Sequence, residues 1–571
     1  MNPYAIAAEP EPQGRLAYKW KVLISVVFGI FMIILDSTVV NVALQTLRRD
    51  FGATLSEVQW VISVYVLALG IATPMSGFLA DRFSIKRVYI FGLGLFVVGS
   101  LLCGLAPSLP LLIAARALQG FGGGLAQPLG PALLYRTFPP REQGTALGFF
   151  GIALVLSPAL GPILGGLLVD ADLWRWIFFI NLPIGLLGIF LASRWLRREA
   201  ANARPRLDPL GLVTAVIGFG AVLYAASNAA DLGWDSPTVI TAFVIGGISL
   251  VAFAIVELFI AREPLLDLRL FRLRNFTVGS LVGYVAVLAL FGAEFMLPVY
   301  LQALRGLTAL QTGVVLLALA IAAGITTPIA GRLYDKIGPR PLVTLGFSIL
   351  LVNTWQLSHL GADTPISWIA FLLALRGLAV GLTIQTTFST ILASVPRDQL
   401  PRGSSLANST RFVVQSIGVA LLATILSSTL SPEVRQLQQQ FQEQSVASAS
   451  SAPYGLCSTP GVAPEDNIPP AAAAELAKLP RAAAGAARQK ILQTTQEICQ
   501  QSLAGFDKAY GFTFYAALAA LLIGLFLPGW PFAWSGRAGL QRAGAERGAP
   551  GVSPPGAAPG AGDAPPSLST E

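Results

Sequence analysis

Residues 77–87 read GFLADRFSIKR, and residues 331–341 read GRLYDKIGPRP. Laid over one another at an offset of 254, they match Asp81 with Asp335 and Lys86 with Arg340. Two further pairs keep the same order: Arg116 in ARALQGFGGG with Arg376 in LRGLAVG, at 260, and Gly161 in SPALGPILGG with Gly418 in VQSIGVALL, at 257. Three near-constant offsets divide the chain into two homologous halves. Such duplication marks a transporter whose substrate site lies near the bilayer midplane, between the repeats. A channel or a receptor has no need of it.

Composition agrees with a membrane setting. The chain is 54% hydrophobic and only 12% charged, with a mean hydropathy of +0.66. No ordinary polar surface can be built from that. Apolar runs long enough to cross a hydrocarbon core as helices fall at 22–44, 57–77, 88–105, 109–131, 145–168, 176–193, 210–228, 238–260, 277–302, 310–331, 341–359, 366–391, 407–429 and 509–531. The expectation is an all-α integral membrane protein of about fourteen helices. Residues 22–193 form one six-helix bundle and 277–531 a pseudo-symmetric second, with two additional helices at 210–260 between them. Residues 1–21 are too polar for a secretory signal and read as a cytoplasmic tail, so the first run is retained. Ala, Gln and Pro dominate 431–508, an extracytoplasmic insertion whose Ser431-Pro432-Glu433 starts a helix carrying Val434, Leu437 and Phe441 on one face. Residues 544–571 lack apolar groups to bury and read as a disordered cytoplasmic tail.

Basic residues orient the chain. With the N-terminus inside, 25 Lys and Arg fall in inner segments and 4 in the short outer loops. The net charge of +8 is therefore a topology signal, and a nucleic-acid partner is not expected. Both termini are placed in the cytoplasm and the protein in the cell's inner membrane. One histidine, His359 at an outer helix end, and no metal-ligand spacing argue against an embedded enzyme. Cys103 packs inside a helix. Cys457 and Cys499 fall outside, where a disulfide between them is permitted.

Residues 33–45, IILDSTVVNVALQ, hold an acid in lipid-like surroundings. An aspartate at a helix centre costs about 2.5–3.5 kcal/mol to insert, so Asp36 is read as functional. Adding the repeat offset to position 36 lands on Glu294, in LALFGAEFMLPVYLQ. Each acid has an arginine at the matching place in its half, Arg116 and Arg376. A nearby arginine favours the charged carboxylate and an apolar environment the neutral form, and a transporter can alternate between them. Asn41, Trp60, Tyr65 and Gln302 are candidates to line a cavity. Glu257, near an inner helix end, reads as solvated.

GFLADRFSIKR also has the form of the cytoplasmic loop signature of the major facilitator superfamily. Gly77 permits close helix approach, Asp81 can cap or pair across helix ends, and Arg82, Lys86 and Arg87 supply inner positive charge. SPALGPILGG, with Pro158, Gly161, Pro162, Gly165 and Gly166, resembles the fifth-helix antiporter signature of drug–proton exporters. LDSTVVNVAL, QWVISVY, RALQGFGGG and WRWIFFINLPIG resemble the fourteen-helix branch of that family. The resemblance implies the major facilitator fold and a proton-coupled, monomeric exporter of hydrophobic, cationic compounds. It implies two bundles rocking about a central cavity, with no cofactor. An exporter of a lipid, siderophore or self-made natural product is the alternative, favoured by the outer insertion. No GxxxxGK[ST] loop is present, so ATP is not the expected driver.

Overall fold

The structure, a computed structural model, describes residues 16–197, 208–261 and 263–429 and, with gaps between 461 and 479, residues 454–530. The expected helix at 431–441 and the tail from 544 lie outside the described residues. Among the described residues fourteen long helices are found: α1 (Tyr18–Phe51), α2 (Leu55–Phe83), α3 (Ile85–Leu105), α4 (Leu109–Thr137), α5 (Gln143–Asp170), α6 (Trp176–Trp195), α7 (Pro209–Leu232) and α8 (Pro237–Ile260), then α9 (Arg274–Val299), α10 (Ala309–Ile337), α11 (Pro339–Ser358), α12 (Ile366–Ser394), α13 (Leu400–Ser428) and α14 (Arg481–Gly524). Among the described residues, every helix but α9 contains a span long and apolar enough to cross a bilayer, that of α13 beginning in the short turn before it. Apolar side chains such as Ile248, Val251 and Phe259 lie exposed on α8, where lipid would cover them.

The duplication is visible in the helix ends. Thr54 opens α2 in a capping box with Glu57, and Thr308 opens α10 in a capping box with Gln311. Between α2 and α3 the chain turns at Ser84, φ 86°, and between α10 and α11 at Gly338, φ 82°. Both pairs repeat the offset of 254 set by the quoted motif. Glycine adopts that backbone freely, whereas Ser84 holds it under strain.

Close approaches fix how the halves meet. A Cβ on Gly331 would lie 2.3 Å from the carbonyl oxygen of Gly144, and one on Gly77 would lie 2.8 Å from the Cα of Arg402. Hence α5 packs on α10 and α2 on α13, while α7 lies against both α2 and α13. The added pair therefore touches both halves.

Two expectations need correction. The last membrane helix does not begin near 509: α14 runs unbroken from Arg481, through the second part of the insertion. At 1.5 Å per residue its 44 residues span about 66 Å, roughly twice a hydrocarbon core, so its first half projects beyond the core. Cys457 and Cys499 are joined by a disulfide. The amides of Leu456 and Cys457 donate to the carbonyls of Ala303 and Leu304, at 2.9 and 2.8 Å, so the bridge ties the projecting helix to the turn that follows α9. The second correction is Glu257, which is 1% exposed and not solvated.

Candidate functional site

Asp36 and Arg116 meet, and both are buried, 1% and 0% exposed. Arg116 Nη1 donates to Asp36 Oδ2 at 2.5 Å. The other carboxylate oxygen, Oδ1, accepts from Gln119 Nε2 at 2.8 Å and from Asn181 Nδ2 at 2.7 Å. Ser100 Oγ receives second contacts from the same two amides, at 3.2 and 3.0 Å. Arg116 is further held by the Val61 carbonyl through Nε and by Gln119 Oε1 through Nη1, at 3.0 and 2.8 Å. The Tyr65 ring lies 4.1 Å from its guanidinium carbon, a cation–π contact. Four helices, α1, α3, α4 and α6, thus converge on one carboxylate.

The sequence explains this convergence. Arg116 and Gln119, three apart on α4, share a face. The glycines that follow let α2 lie against α4: a Cβ on Gly120 would sit 2.3 Å from the Tyr65 carbonyl oxygen, and one on Gly124 2.3 Å from that of Leu69. On α5, a Cβ on Gly161 would reach within 2.2 Å of Thr38 Oγ1, and one on Gly165 within 2.9 Å of the Val39 carbonyl oxygen. The α5 motif therefore seats directly on the helix that carries Asp36, next to the acid. Gly166 faces open space, with only Leu310 N at 4.0 Å, and Pro158 and Pro162 lie within a continuous α5.

On the basic side, two latches join the halves. Arg402 Nε donates to Asp81 Oδ2 at 2.6 Å, joining α13 to α2. Asp335 on α10 accepts from the amides of Gly144 and Thr145 at 2.8 and 2.9 Å and from Thr145 Oγ1 at 2.7 Å. That carboxylate caps the N-terminus of α5, where free amides and the helix dipole favour negative charge. Equivalent aspartates thus latch opposite halves by different chemistry. Lys86 donates to the Ser193 and Leu196 carbonyls, holding α3 to the end of α6, and the Arg340 amide donates to Pro528, holding α11 to the end of α14. The Arg82 guanidinium lies over Phe83, and the Arg87 side chain is exposed.

The second half is built differently. Arg376 is fully buried, and its Nη2 donates to the α9 carbonyls of Ala289 and Leu290, at 2.7 and 3.2 Å. Nη1 reaches Asn353 and Thr354 of α11 at 3.3 and 3.4 Å. The backbone of Glu294 is helical, one turn beyond Leu290, but its side chain lies outside the described residues. Nearby, α9, α12 and α13 enclose a cavity lined by Ser280, Tyr284, Thr387, Phe388, Ile391 and Arg411, among others. Its free space is about 30 Å³, room for about two waters and too little for a drug-sized molecule.

None of Asn41, Trp60, Tyr65 and Gln302 lines that cavity. Tyr65 is buried beneath Arg116, and Trp60, 36% exposed, stacks on Tyr224 of α7 with ring centroids 6.0 Å apart. Asn41 and Gln302 are exposed. Sequence reasoning passed over Gln119, Asn181 and Ser100, although RALQGFGGG and FINLPIG contain the first two. It also passed over Arg411, a cation inside the apolar run 407–429 that the rule applied to Asp36 would have flagged.

A family model described as Major Facilitator Superfamily matches residues 26–419. The chain is 34% identical over 414 residues to the multidrug export protein EmrB of Escherichia coli, covering 72% of this chain and 80% of that one. It is 32% identical over 423 residues to the lincomycin resistance protein LmrB of Bacillus subtilis, covering 73% and 88%. Among solved structures, the human organic anion transporter MFSD10 shares the fold at a TM-score of 0.52 and 16% identity, covering 72% of this chain and 94% of that one. The family match, the duplicated helix ends and latches, and the acid–arginine pair agree: the chain belongs to the major facilitator superfamily, in its fourteen-helix drug:proton antiporter branch.

Proposed function

We propose that this protein is a proton-driven exporter of hydrophobic compounds that works by alternating access, with Asp36 as the coupling acid. The observation that carries the reading is the Asp36 carboxylate, deep in the first half, meeting a buried guanidinium and two neutral amides. In the latched conformation the carboxylate is charged and Arg116 neutralises it. A proton arriving from outside converts one oxygen into a donor, which needs an acceptor. Asn181 Oδ1 is buried and has no partner, so its amide can turn and accept that O–H. Neutral Asp36 releases its grip on Arg116, and α1 shifts against the glycine face of α5, which bears on α10 in the other half. The inner latches then part and the cavity faces the cytoplasm.

Each proton moving down a membrane potential contributes about 2.3 kcal/mol per 100 mV, so one or two drive modest accumulation outside. The chain acts as a monomer in the cell membrane with both termini cytoplasmic, and the gradient replaces any cofactor. Glu294, in the same half as Arg376, is the second acid of the scheme and binds the cationic end of cargo. A second reading rests on Arg411: a guanidinium in the cavity wall favours a neutral or anionic amphiphile, such as a lipid or natural product, over a cation. Proton release from purified protein in liposomes, on adding matched cationic, neutral and anionic amphiphiles, decides between them. Release by none of the three refutes both.

A further inference from the structure

The inserted helix pair carries two acids that the export scheme leaves unused. Asp208 opens α7, its Oδ1 accepting from the Gly211 amide at 3.0 Å. Glu257 sits in the π turn that ends α8, and its Oε1 accepts from the Leu265 amide at 3.1 Å. Asp208 Oδ2 and Glu257 Oε1 lie 2.4 and 2.8 Å from one point, the position a Cβ on Gly211 would take, so no more than about 5 Å separates the carboxylates. By distance and angle Asp208 Oδ2 and Glu257 Oε2 are buried and accept no hydrogen bond, although the Leu266 backbone also lies against the Glu257 carboxyl.

Among the described residues, the charged neighbours are already engaged. Arg402 on α13 is close enough for its field to reach Glu257, but its Nε is bonded to Asp81 on α2. Arg136 and Asp398 lie close enough to Asp81 for their fields to reach it. Arg269, in the segment after α8, donates to the Leu258 carbonyl at 3.4 Å. Two carboxylates this close, with a free buried oxygen each, resist carrying two charges at once. One proton resolves the conflict by removing one of the two charges, and on closer approach a protonated carboxyl can donate to the free oxygen of the other.

We propose that Asp208 and Glu257 form a proton-holding pair at the inner end of the two added helices, occupied by one proton at neutral pH, whose loss draws Arg402 from Asp81 and loosens the α2–α13 latch. The chemistry is a single proton moving between carboxylate oxygen and water. The pair explains what α7 contributes by lying against both halves: it sets a charge beside the contact it flanks.

Infrared difference spectroscopy of the full-length protein in lipid, without cargo or gradient, tests the pair apart from the export reading. The wild type should show a deuterium-sensitive protonated-carboxyl band at neutral pH that Glu257→Gln removes. Asp208→Asn, which keeps the helix cap, should shift the loss of that band to another pH. A band absent from the wild type, or unchanged in Asp208→Asn, overturns the pair whether or not Glu257→Gln folds. Spin labels at Phe83 and Arg397, both exposed, report the latch. Their separation should widen as the wild type is made alkaline, and a separation that does not change with pH overturns the coupling.

Discussion

Asp36→Asn separates a proton carrier from a structural brace. The native carboxylate offers two oxygens to three donors, Oδ2 to Arg116 and Oδ1 to Gln119 and Asn181. Asparagine offers one oxygen and one NH2 group. With its oxygen kept on Arg116, the new NH2 meets two other amide NH2 groups, donor against donor. Asn181 can turn over, since its own oxygen has no partner. Gln119 cannot turn without loss, since its Oε1 accepts from Arg116. One buried contact is lost without replacement, at about 1–3 kcal/mol. Asparagine also removes the charge that compensates buried Arg116, so the total approaches the roughly 3–5 kcal/mol expected when a buried pair loses one partner. Arg116 keeps the Val61 carbonyl, Gln119 Oε1 and the Tyr65 ring, and the asparagine oxygen leaves it one acceptor more than Asp36→Leu does, so Asp36→Asn costs less than Asp36→Leu.

Thermal unfolding of purified protein should therefore rank wild type above Asp36→Asn, and Asp36→Asn above Asp36→Leu. In liposomes with an imposed pH gradient, Asp36→Asn should lose uphill export and cargo-induced proton release while still letting cargo equilibrate downhill. Uphill export at the wild-type rate, with proton release intact, would show that Asp36 is not the coupling site. Equal destabilisation by Asn and Leu would refute the role given to the Asn181 amide.

Ser84→Gly should stabilise the protein by about 1 kcal/mol, because it relieves a positive φ that the repeat already fills with Gly338; an unchanged or lowered unfolding temperature contradicts this. Gly161→Val should cost about 1–3 kcal/mol and slow export, since its Cβ alone would lie 2.2 Å from Thr38 Oγ1. Both effects should ease in the double variant Gly161→Val, Thr38→Ala, measured by unfolding and liposome transport. Asp335→Ala removes the cap of α5 and should cost about 0.5–2 kcal/mol, with faster hydrogen exchange at the Gly144 and Thr145 amides. Cys457 and Cys499 should resist alkylation until a reductant is added, and labelling of both beforehand would deny the bridge.

Much of the fold is readable along the chain because its causes are local or periodic. A run of about twenty apolar residues is a crossing helix whatever surrounds it, and Lys and Arg counts orient it. A duplicated motif predicts duplicated geometry, and the capping boxes at Thr54 and Thr308 follow from it. Asp36 and Arg116 could be paired because an acid and a base inside lipid-like runs each need compensation. What the sequence could not supply was everything set by which helix faces which. The donors from Gln119 and Asn181 come from helices far apart in the chain, and neither residue is unusual enough in its own run to be noticed. Glu257 reads as solvated because it stands at a helix end, and only the packing of the α7 start and of Leu265 over it makes it buried. Asp81 and Asp335 align perfectly, yet one meets an arginine and the other a helix N-terminus. Sequence determined which residues must be compensated; tertiary structure decided by what, because burial and hydrogen bonding depend on neighbours tens or hundreds of residues away.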